Sequence, residues 1–331
     1  MSFSRFMFLG TASAVPRPGH RNVSAMLLQF SCGSLTLIDC GEATQHQLMR
    51  STVRMGSIDN ILLTHLHGDH CFGLFGLMHT LNMGGRKSPI RIYGPSGTDE
   101  LVRTVFRLTG GWNGFEIKVT ELEPNNRHTI DIVSSASEQV LASVIACPMV
   151  HRLASFGYVI SEPEQARTLD GPKAIALGAT GSDLGRLKSG QDVTIANGSV
   201  VESASVTFPG RKARTVAVMQ DTSDASSALP YMQGVDLLVH EATYEKSLEA
   251  QAVEYGHSTA EMAARIASKS DAGILALTHF SSRYGEDNIN LLKNEAEELL
   301  DGRRTKVVLG EDFMCFSGDS LSEISSIRKP E

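Results

Sequence analysis

The sequence predicts an α/β layered fold, and three observations carry that reading. Apolar or alternating runs of strand length recur through both halves of the chain. Helical stretches lie between them, and strands interspersed with helices mark a layered α/β architecture. Five of the runs end on His, Asp or Glu, as expected when a site is built along one edge of a sheet.

In chain order, strand-like runs cover residues 6–9, 24–30 and 35–38, separated by turns bearing Gly or Pro. A helical stretch follows at 45–54. A buried strand at 58–63 runs into Thr64-His65-Leu66-His67-Gly68-Asp69-His70. Residues 72–83 read as a largely apolar helix, ended by Gly84-Gly85. A strand at 90–93 stops at Gly94-Pro95, and a helix covers 100–108. Later strands are expected at 144–150, 206–208, 215–219, 235–239 and 274–277, with helices at 259–269 and 289–300. Residues 162–197 stand apart. They are rich in Gly, Ala, Lys and Ser, show little periodicity, and far exceed the usual loop of about 4–6 residues. They are expected to form an excursion from a single domain spanning 1–331.

The 331 residues carry 30 Lys+Arg against 37 Asp+Glu, a formal charge of −7. With 41% hydrophobic and 20% charged residues the composition is that of an ordinary globular protein, which excludes disorder, collagen and coiled coil as whole-chain readings. The acidic balance argues against coating nucleic acid by bulk charge, though not against gripping it with a few local cations. No apolar run reaches the roughly 18–20 residues of a membrane span, so no membrane partner is expected. The N-terminus reads as a strand and lacks the features of a signal peptide. Five cysteines without a CxxC pair read as reduced thiols. The expected location is cytoplasmic, or nuclear in a eukaryote.

The strongest local signal is His65-x-His67-x-Asp69-His70. His and carboxylate are ligands that borderline divalent metals such as Zn²⁺ accept. A spacing of two between His65 and His67 suits a loop, where the adjacent Asp69 and His70 can face different ways. Four ligands within six residues crowd one ion with an open position but suit two ions a few Å apart. The further donors a two-metal site needs stand at other strand ends: His151, Asp221, Glu241 beside His240, and His279. Paired divalent ions lower the pKa of water to about 7 and so favour hydrolysis of a phosphodiester, amide, thioester or lactone. His20, His46, His79 and His128 lack any partner pattern, and Cys71 reads as a buried thiol at a helix start.

A second constellation is Gly256-His257-Ser258-Thr259-Ala260-Glu261. A capping box from Ser258 to Glu261 would fix His257 at a helix entrance. Glu241 could then accept its other ring N–H, and a His oriented by a carboxylate is a good general acid.

The run Thr64–His70 resembles the HxHxDH signature of the metallo-β-lactamase fold hydrolases. Phe8-Leu9-Gly10-Thr11 with Pro16, Asp39-Cys40-Gly41-Glu42-Ala43-Thr44-Gln45, His240-Glu241-Ala242-Thr243, His257-Ser258-Thr259 and Thr278-His279-Phe280-Ser281-Ser282-Arg283-Tyr284 resemble ribonuclease Z, the tRNA 3′-processing endonuclease, in its short form. The resemblance extends from about residue 6 to 316. It implies an αβ/βα sandwich, two facing mixed sheets with helices outside, and a homodimer. It implies two Zn²⁺ per subunit, with Mn²⁺ or another divalent ion as the alternative. His65, His67 and His151 would hold one ion, Asp69, His70 and His279 the other, and Asp221 would bridge. Asp69 would be the general base and His257, supported by Glu241, the proton donor. Precursor tRNA would be cut to leave a 3′-hydroxyl on the tRNA and a 5′-phosphate on the released trailer.

In that family an arm between strands grips tRNA, and residues 162–197 occupy its place. Gly185-Arg186-Leu187-Lys188-Ser189-Gly190 resembles the arm's end, so Arg186 and Lys188 become candidate RNA contacts. Arg283, just past a ligand, is a candidate phosphate clamp. This chain departs from the family with Ala179-Thr180-Gly181-Ser182 where Pro-Pro-Gly-Pro is usual, and with Gln220 before Asp221 in place of Gly. The alternative reading is another binuclear-metal hydrolase of the same fold, acting on a small phosphodiester, sulfate ester, thioester or lactone.

Overall fold

The structure, a computed structural model, describes residues 2–17, 20–111 and 114–329. The chain divides into two compact units. One joins Phe3–Ser161 to Arg214–Glu331, and the other is centred on Glu162–Ala213.

The larger unit is built on two mixed sheets. The first orders its eight strands as Glu323–Ser326, Met314–Ser317, Phe3–Gly10, Ala25–Phe30, Leu35–Ile38, Ile58–Leu62, Ile90–Pro95 and Ile117–Leu122. The second orders seven as Lys306–Leu309, Ile274–Thr278, Leu237–Glu241, Thr215–Met219, Ser155–Ser161, Val140–Met149 and His128–Val133. Alternation along the strands divides their side chains between two layers. Phe6 and Phe8 enter the core shared by the two sheets, whereas Met7 and Leu9 pack under helices on the opposite face. Val216 and Val218 likewise share the central core while Ala217 and Met219 face away. With both faces covered, these strands read as continuous apolar runs, which is why they stand out in the sequence.

Helices Thr44–Arg50, Gly73–Met83 and Thr98–Thr109 contribute to the outer core of the first sheet. Helices Ala260–Lys269 and Asn290–Leu299 contribute to that of the second. The result is the four-layered αβ/βα sandwich. Among the described residues no helix is long and apolar enough to cross a membrane.

Several expectations need correcting. The helix expected at 45–54 ends at Arg50, because Ser51 is extended and its hydroxyl bonds the Leu48 carbonyl at 2.8 Å. The helix expected from residue 72 begins a turn earlier, so Asp69 and His70 sit in the helical turn Gly68–Cys71 and not in a loop. The strands Ile117–Leu122 and Glu323–Ser326 escaped notice because they are largely exposed and carry polar residues. The segment expected at 162–197 reaches Ala213 and has a small core of its own: Ala174, Ala179, Leu187, Val193, Val201 and Val206. Its short helices Gly171–Ala176 and Ser182–Lys188 leave too few turns for periodicity to show. Asp170 caps the first of them, accepting the Lys173 N–H at 3.1 Å, with Pro172 in the opening turn.

Candidate metal centre

Three neighbouring strands of the second sheet, Thr215–Met219, Leu237–Glu241 and Ile274–Thr278, deliver their chemistry together because they are parallel and in register. Met219 lies opposite His240, and Glu241 opposite Thr278. Asp221 and His279 therefore emerge at one edge, joined by His151 just past Val140–Met149. From the first sheet, Ile58–Leu62 feeds the His65–His70 run into the same place. Four residues here hold left-handed backbone without being glycine: Ala14 (φ 62°), Asp39 (φ 57°), Asp221 (φ 35°) and His279 (φ 60°). Such conformations cost of order 1–3 kcal/mol each and gather where function over-determines the backbone.

The side chains converge in two groups bridged by Asp221. In the first, His65 Nε2 lies 2.9 Å and His151 Nε2 3.3 Å from His67 Nδ1. Asp221 Oδ2 stands 3.5 Å from His65 Nε2. In the second, His70 Nε2 and His279 Nε2 are 3.1 Å apart, and each is 3.5 Å from Asp69 Oδ2. Asp221 Oδ1 lies 3.3 Å from the former and 3.2 Å from the latter. The donor atoms of His65, His67, His151 and Asp221 all fall within 4.8 Å of one another, as do those of Asp69, His70 and His279.

Outer contacts decide which ring nitrogen faces inward. His70 Nδ1 is 2.7 Å from Asp39 Oδ2 and His151 Nδ1 is 2.7 Å from the Gly256 carbonyl. His279 Nδ1 meets the Thr243 hydroxyl at 2.9 Å, and that hydroxyl donates to Glu241 Oε2. With the proton on Nδ1 in all three, Nε2 presents a lone pair to the cluster. Opposed lone pairs at about 3 Å are repulsive without a cation between them. Asp221 Oδ1 is buried with no hydrogen-bond partner among the described residues. A buried carboxylate oxygen without a donor, ringed by imidazole lone pairs, is a donor set that fits divalent metal.

Where no cation balances the carboxylates, protons on the imidazoles compete for the same positions, and the electrostatics record that competition. Burial pushes His65, His67 and His151 below the usual imidazole range. Burial also opposes charge on Asp69, but hydrogen bonding to His279 and the imidazoles of His70 and His279 hold it well below the carboxylate range. The imidazoles of His279, His70 and His65 do the same for Asp221. Against the cost of burial, Asp221 and Asp39 raise His70.

His257 stands beside this cluster, its Nδ1 3.1 Å from Glu241 Oε1 and 3.7 Å from Asp221 Oδ2. Burial would lower its pKa, yet Glu241 and then Asp221 raise it to about 9. Glu241 is fully buried and also accepts the Thr222 N–H at 2.7 Å, so one carboxylate ties together His257, the Asp221 turn and, through the Thr243 hydroxyl, His279. The capping box is displaced by one residue. Thr259 is the N-cap, accepting the Met262 N–H at 3.2 Å, while the Ser258 hydroxyl bonds the Thr222 carbonyl and Glu261 pairs with Lys246 and Arg265.

An open cavity of about 440 Å³ gives access to His67, Asp69, Asp221, His257 and His279. The arginine that lines it among the described residues is Arg152, the neighbour of His151, whereas the Arg283 guanidinium lies 4.9 Å over the Tyr244 ring. Arg186 and Lys188 are exposed on the helix Ser182–Lys188 of the other unit. His240 is buried, with Nδ1 2.8 Å from the Glu241 carbonyl. Sequence reasoning assigned no role to Asp39, Thr243, Thr222, Phe72, Arg152 or the Ala14 N–H, which donates to Asp69 Oδ2 at 2.7 Å. Asp39 alone carried a signal, as an acidic residue directly after the strand Leu35–Ile38.

Comparison with known proteins agrees with this geometry. The family described as "Anti-Pycsar protein Apyc1" matches residues 4–130. The chain is 36% identical to ribonuclease BN of Citrobacter koseri over 315 residues, covering 94% of this chain and 99% of that protein. It is 38% identical to ribonuclease Z of Listeria monocytogenes over 298 residues, covering 89% and 94%. Among solved structures, the short form of human tRNase Z (ELAC1) matches with a TM-score of 0.66 at 30% identity, covering 95% of this chain and 98% of that one. The metallo-β-lactamase fold protein YhfI from Bacillus subtilis, at 19% identity and a TM-score of 0.66 over 96% of this chain, shares the fold.

Proposed function

The chain belongs to the ribonuclease Z family of metallo-β-lactamase fold hydrolases, and from that premise we propose that it removes the 3′ trailer from precursor tRNA with two divalent ions, Zn²⁺ first among them. The observation that carries the proposal is His257, held by buried Glu241 beside a seven-residue donor cluster in an open cavity. His65, His67 and His151 would hold one ion and Asp69, His70 and His279 the other, with Asp221 placed between the two groups. When bound, such a pair supplies Lewis acidity toward a phosphoryl oxygen and a water of lowered pKa.

The chain's own residues do the rest. The Ala14 N–H fixes Asp69 Oδ2, so the carboxylate is oriented to take the proton of the attacking water. Glu241 turns His257 Nδ1 inward, which leaves Nε2 to hand its proton to the departing ribose 3′-oxygen. Water thus ends as hydroxyl on phosphorus and proton on the 3′-oxygen. The products are a tRNA with a 3′-hydroxyl and a trailer with a 5′-phosphate. Arg186 and Lys188, on the separately packed Glu162–Ala213 unit, serve as tRNA contacts of an arm, Arg283 as an outer phosphate contact, and the working form is a homodimer, cytoplasmic or nuclear.

Mapping the ends of a cleaved precursor-tRNA transcript tests this directly. Expected are a 3′-hydroxyl and a 5′-phosphate at the trailer junction, loss of cutting after chelation, and return of cutting with Zn²⁺. A cyclic phosphate with a 5′-hydroxyl trailer would overturn the hydrolytic step in favour of attack by the ribose 2′-hydroxyl, and an uncut precursor from protein that hydrolyses bis(p-nitrophenyl) phosphate would overturn the reading in favour of a small-diester hydrolase. Removing residues 171–190 sharpens the distinction: precursor cleavage should be lost and small-diester hydrolysis kept.

A further inference from the structure

Phe72 is out of place for a large apolar side chain. It follows the ligand turn Gly68–Cys71 directly and is 64% exposed, while its neighbours Cys71, Leu74 and Leu77 are fully buried. Its ring lies back over Gly68: a Cβ there would stand 2.5 Å from Phe72 Cε2 and 2.7 Å from Cδ2, so the ring occupies space that the glycine leaves free. Gly68 lies between the ligands His67 and Asp69, and Phe72 lines the cavity that exposes them. Arg152 lines the same cavity, and its guanidinium is set 5.6 Å over the Tyr255 ring. An aromatic face and a cation beside a phosphodiester-cleaving centre match the two halves of a nucleotide, a π-faced base and an anionic phosphate.

We propose that Phe72 is a specificity-determining residue, the platform on which the base of a nucleotide flanking the scissile phosphodiester stacks, with Arg152 facing that nucleotide's phosphate. This rests on the reading of the cavity as an RNA-cleaving site and adds to it a preference for an intact base next to the cut. The hydrogen-bonding edge of the base is not engaged by Phe72, so any of the four bases is accepted and an abasic nucleotide is not.

The test is a cycle between protein and substrate. Precursor-tRNA transcripts carry either a normal base or an abasic residue on the 5′ or the 3′ side of the cut. Phe72→Ala should lower kcat/KM about tenfold on the normal substrate, the size expected for one stacked base. Wild-type protein should lose the same factor on the abasic substrate at one of the two positions, and Phe72→Ala should lose nothing more there. Phe72→Tyr should restore the rate. Phe72→Leu keeps apolar volume without a ring and repeats the cycle if the alanine variant is unstable. A second readout needs no turnover: 2-aminopurine at the coupled position should be quenched on binding to Asp69→Ala protein and not to the Asp69→Ala, Phe72→Leu double variant. Equal losses on normal and abasic substrates, or no loss, would overturn the stacking role while leaving the ribonuclease reading intact. Failure of wild-type protein to cut any precursor, with bis(p-nitrophenyl) phosphate still hydrolysed, would overturn both.

Discussion

The cavity and the Glu162–Ala213 unit are built on opposite terms. The cavity buries charge: His65, His70, Asp39, Asp221, Glu241 and His279 are each at most 2% exposed, and almost every one is tied to a named partner. Burial of this kind is costly unless the groups are paired, so it requires the stiff strand ends of a large core behind it. The smaller unit has a core of aliphatic side chains, Ala174, Ala179, Leu187, Val193, Val201 and Val206, and of its six basic and six acidic residues it buries one, Glu162, which Arg211 pairs. The −7 charge of the chain therefore belongs wholly to the larger unit. Part of that acidity is the metal donor set itself, where a bound ion's own charge governs what an anionic substrate meets. Chemistry demands preorganised polar burial. Recognition of a large substrate demands only a small independent core that presents a surface.

The sharpest way to break the comparison is Asp69→Ala. The side chain contacts His70, His279 and the Ala14 N–H at a partly exposed position. Cleavage of every phosphodiester substrate should fall by about 10³-fold, within the range for loss of a general base. The thermal midpoint should move by no more than about 3 °C, the shift of roughly one hydrogen bond in a domain of this size. A loss of fold in proportion to the loss of rate would make Asp69 structural and erase the contrast.

Asp39→Asn should produce the next largest effect, and in a different currency of measurement. Asp39 accepts the Thr64 N–H at 2.8 Å and faces His70 Nδ1 at 2.7 Å, with no exposure to solvent. Affinity for Zn²⁺, measured by competition with a chelator, should weaken 10- to 100-fold, about what outer ligand partners are worth. Unchanged affinity would mean that His70 is held by packing alone.

On the other side of the comparison, Leu187→Ala should remove about 2–5 kcal/mol from the small core in which Leu187 is fully buried. Once that loss exceeds the unit's own stability, precursor-tRNA cleavage should fall about tenfold for each further 1.4 kcal/mol, while hydrolysis of bis(p-nitrophenyl) phosphate stays within twofold. Parallel losses on both substrates would show that the two units do not divide the work in this way.

How far these features could be read in advance follows from the same contrast. The clustered His and Asp residues were legible because each is a polar residue at or just past the end of an apolar run, a juxtaposition that local sequence displays. The tautomer of each histidine and the left-handed backbone at Asp39, Asp221 and His279 were not, since they arise from partners up to 209 residues away, as with His70 and His279. Phe72 fits by type the first residue of an apolar helix; its exposure and the position of its ring over Gly68 appear only in the structure. The small unit was legible as an exception and illegible as a structure, because helices of six and seven residues carry too little periodicity.

Thr259→Ala gives the smallest effect and separates two accounts of His257. If the cap itself fixes that imidazole, as the Ser258–Glu261 reading required, breaking it should cost rate. The structure assigns the holding to other contacts: the Ser258 hydroxyl on the Thr222 carbonyl, the His257 N–H on the Ala252 carbonyl at 2.8 Å, and Glu241 on His257 Nδ1. None of these passes through the Thr259 hydroxyl, whose one role is to accept the Met262 N–H. Thr259→Ala should therefore lower stability by about 1 kcal/mol, the usual value of an N-cap, and change kcat less than twofold. A fall in kcat comparable to that of Glu241→Gln, at equal thermal stability, would show that the helix start and not the carboxylate sets the position of the proton donor.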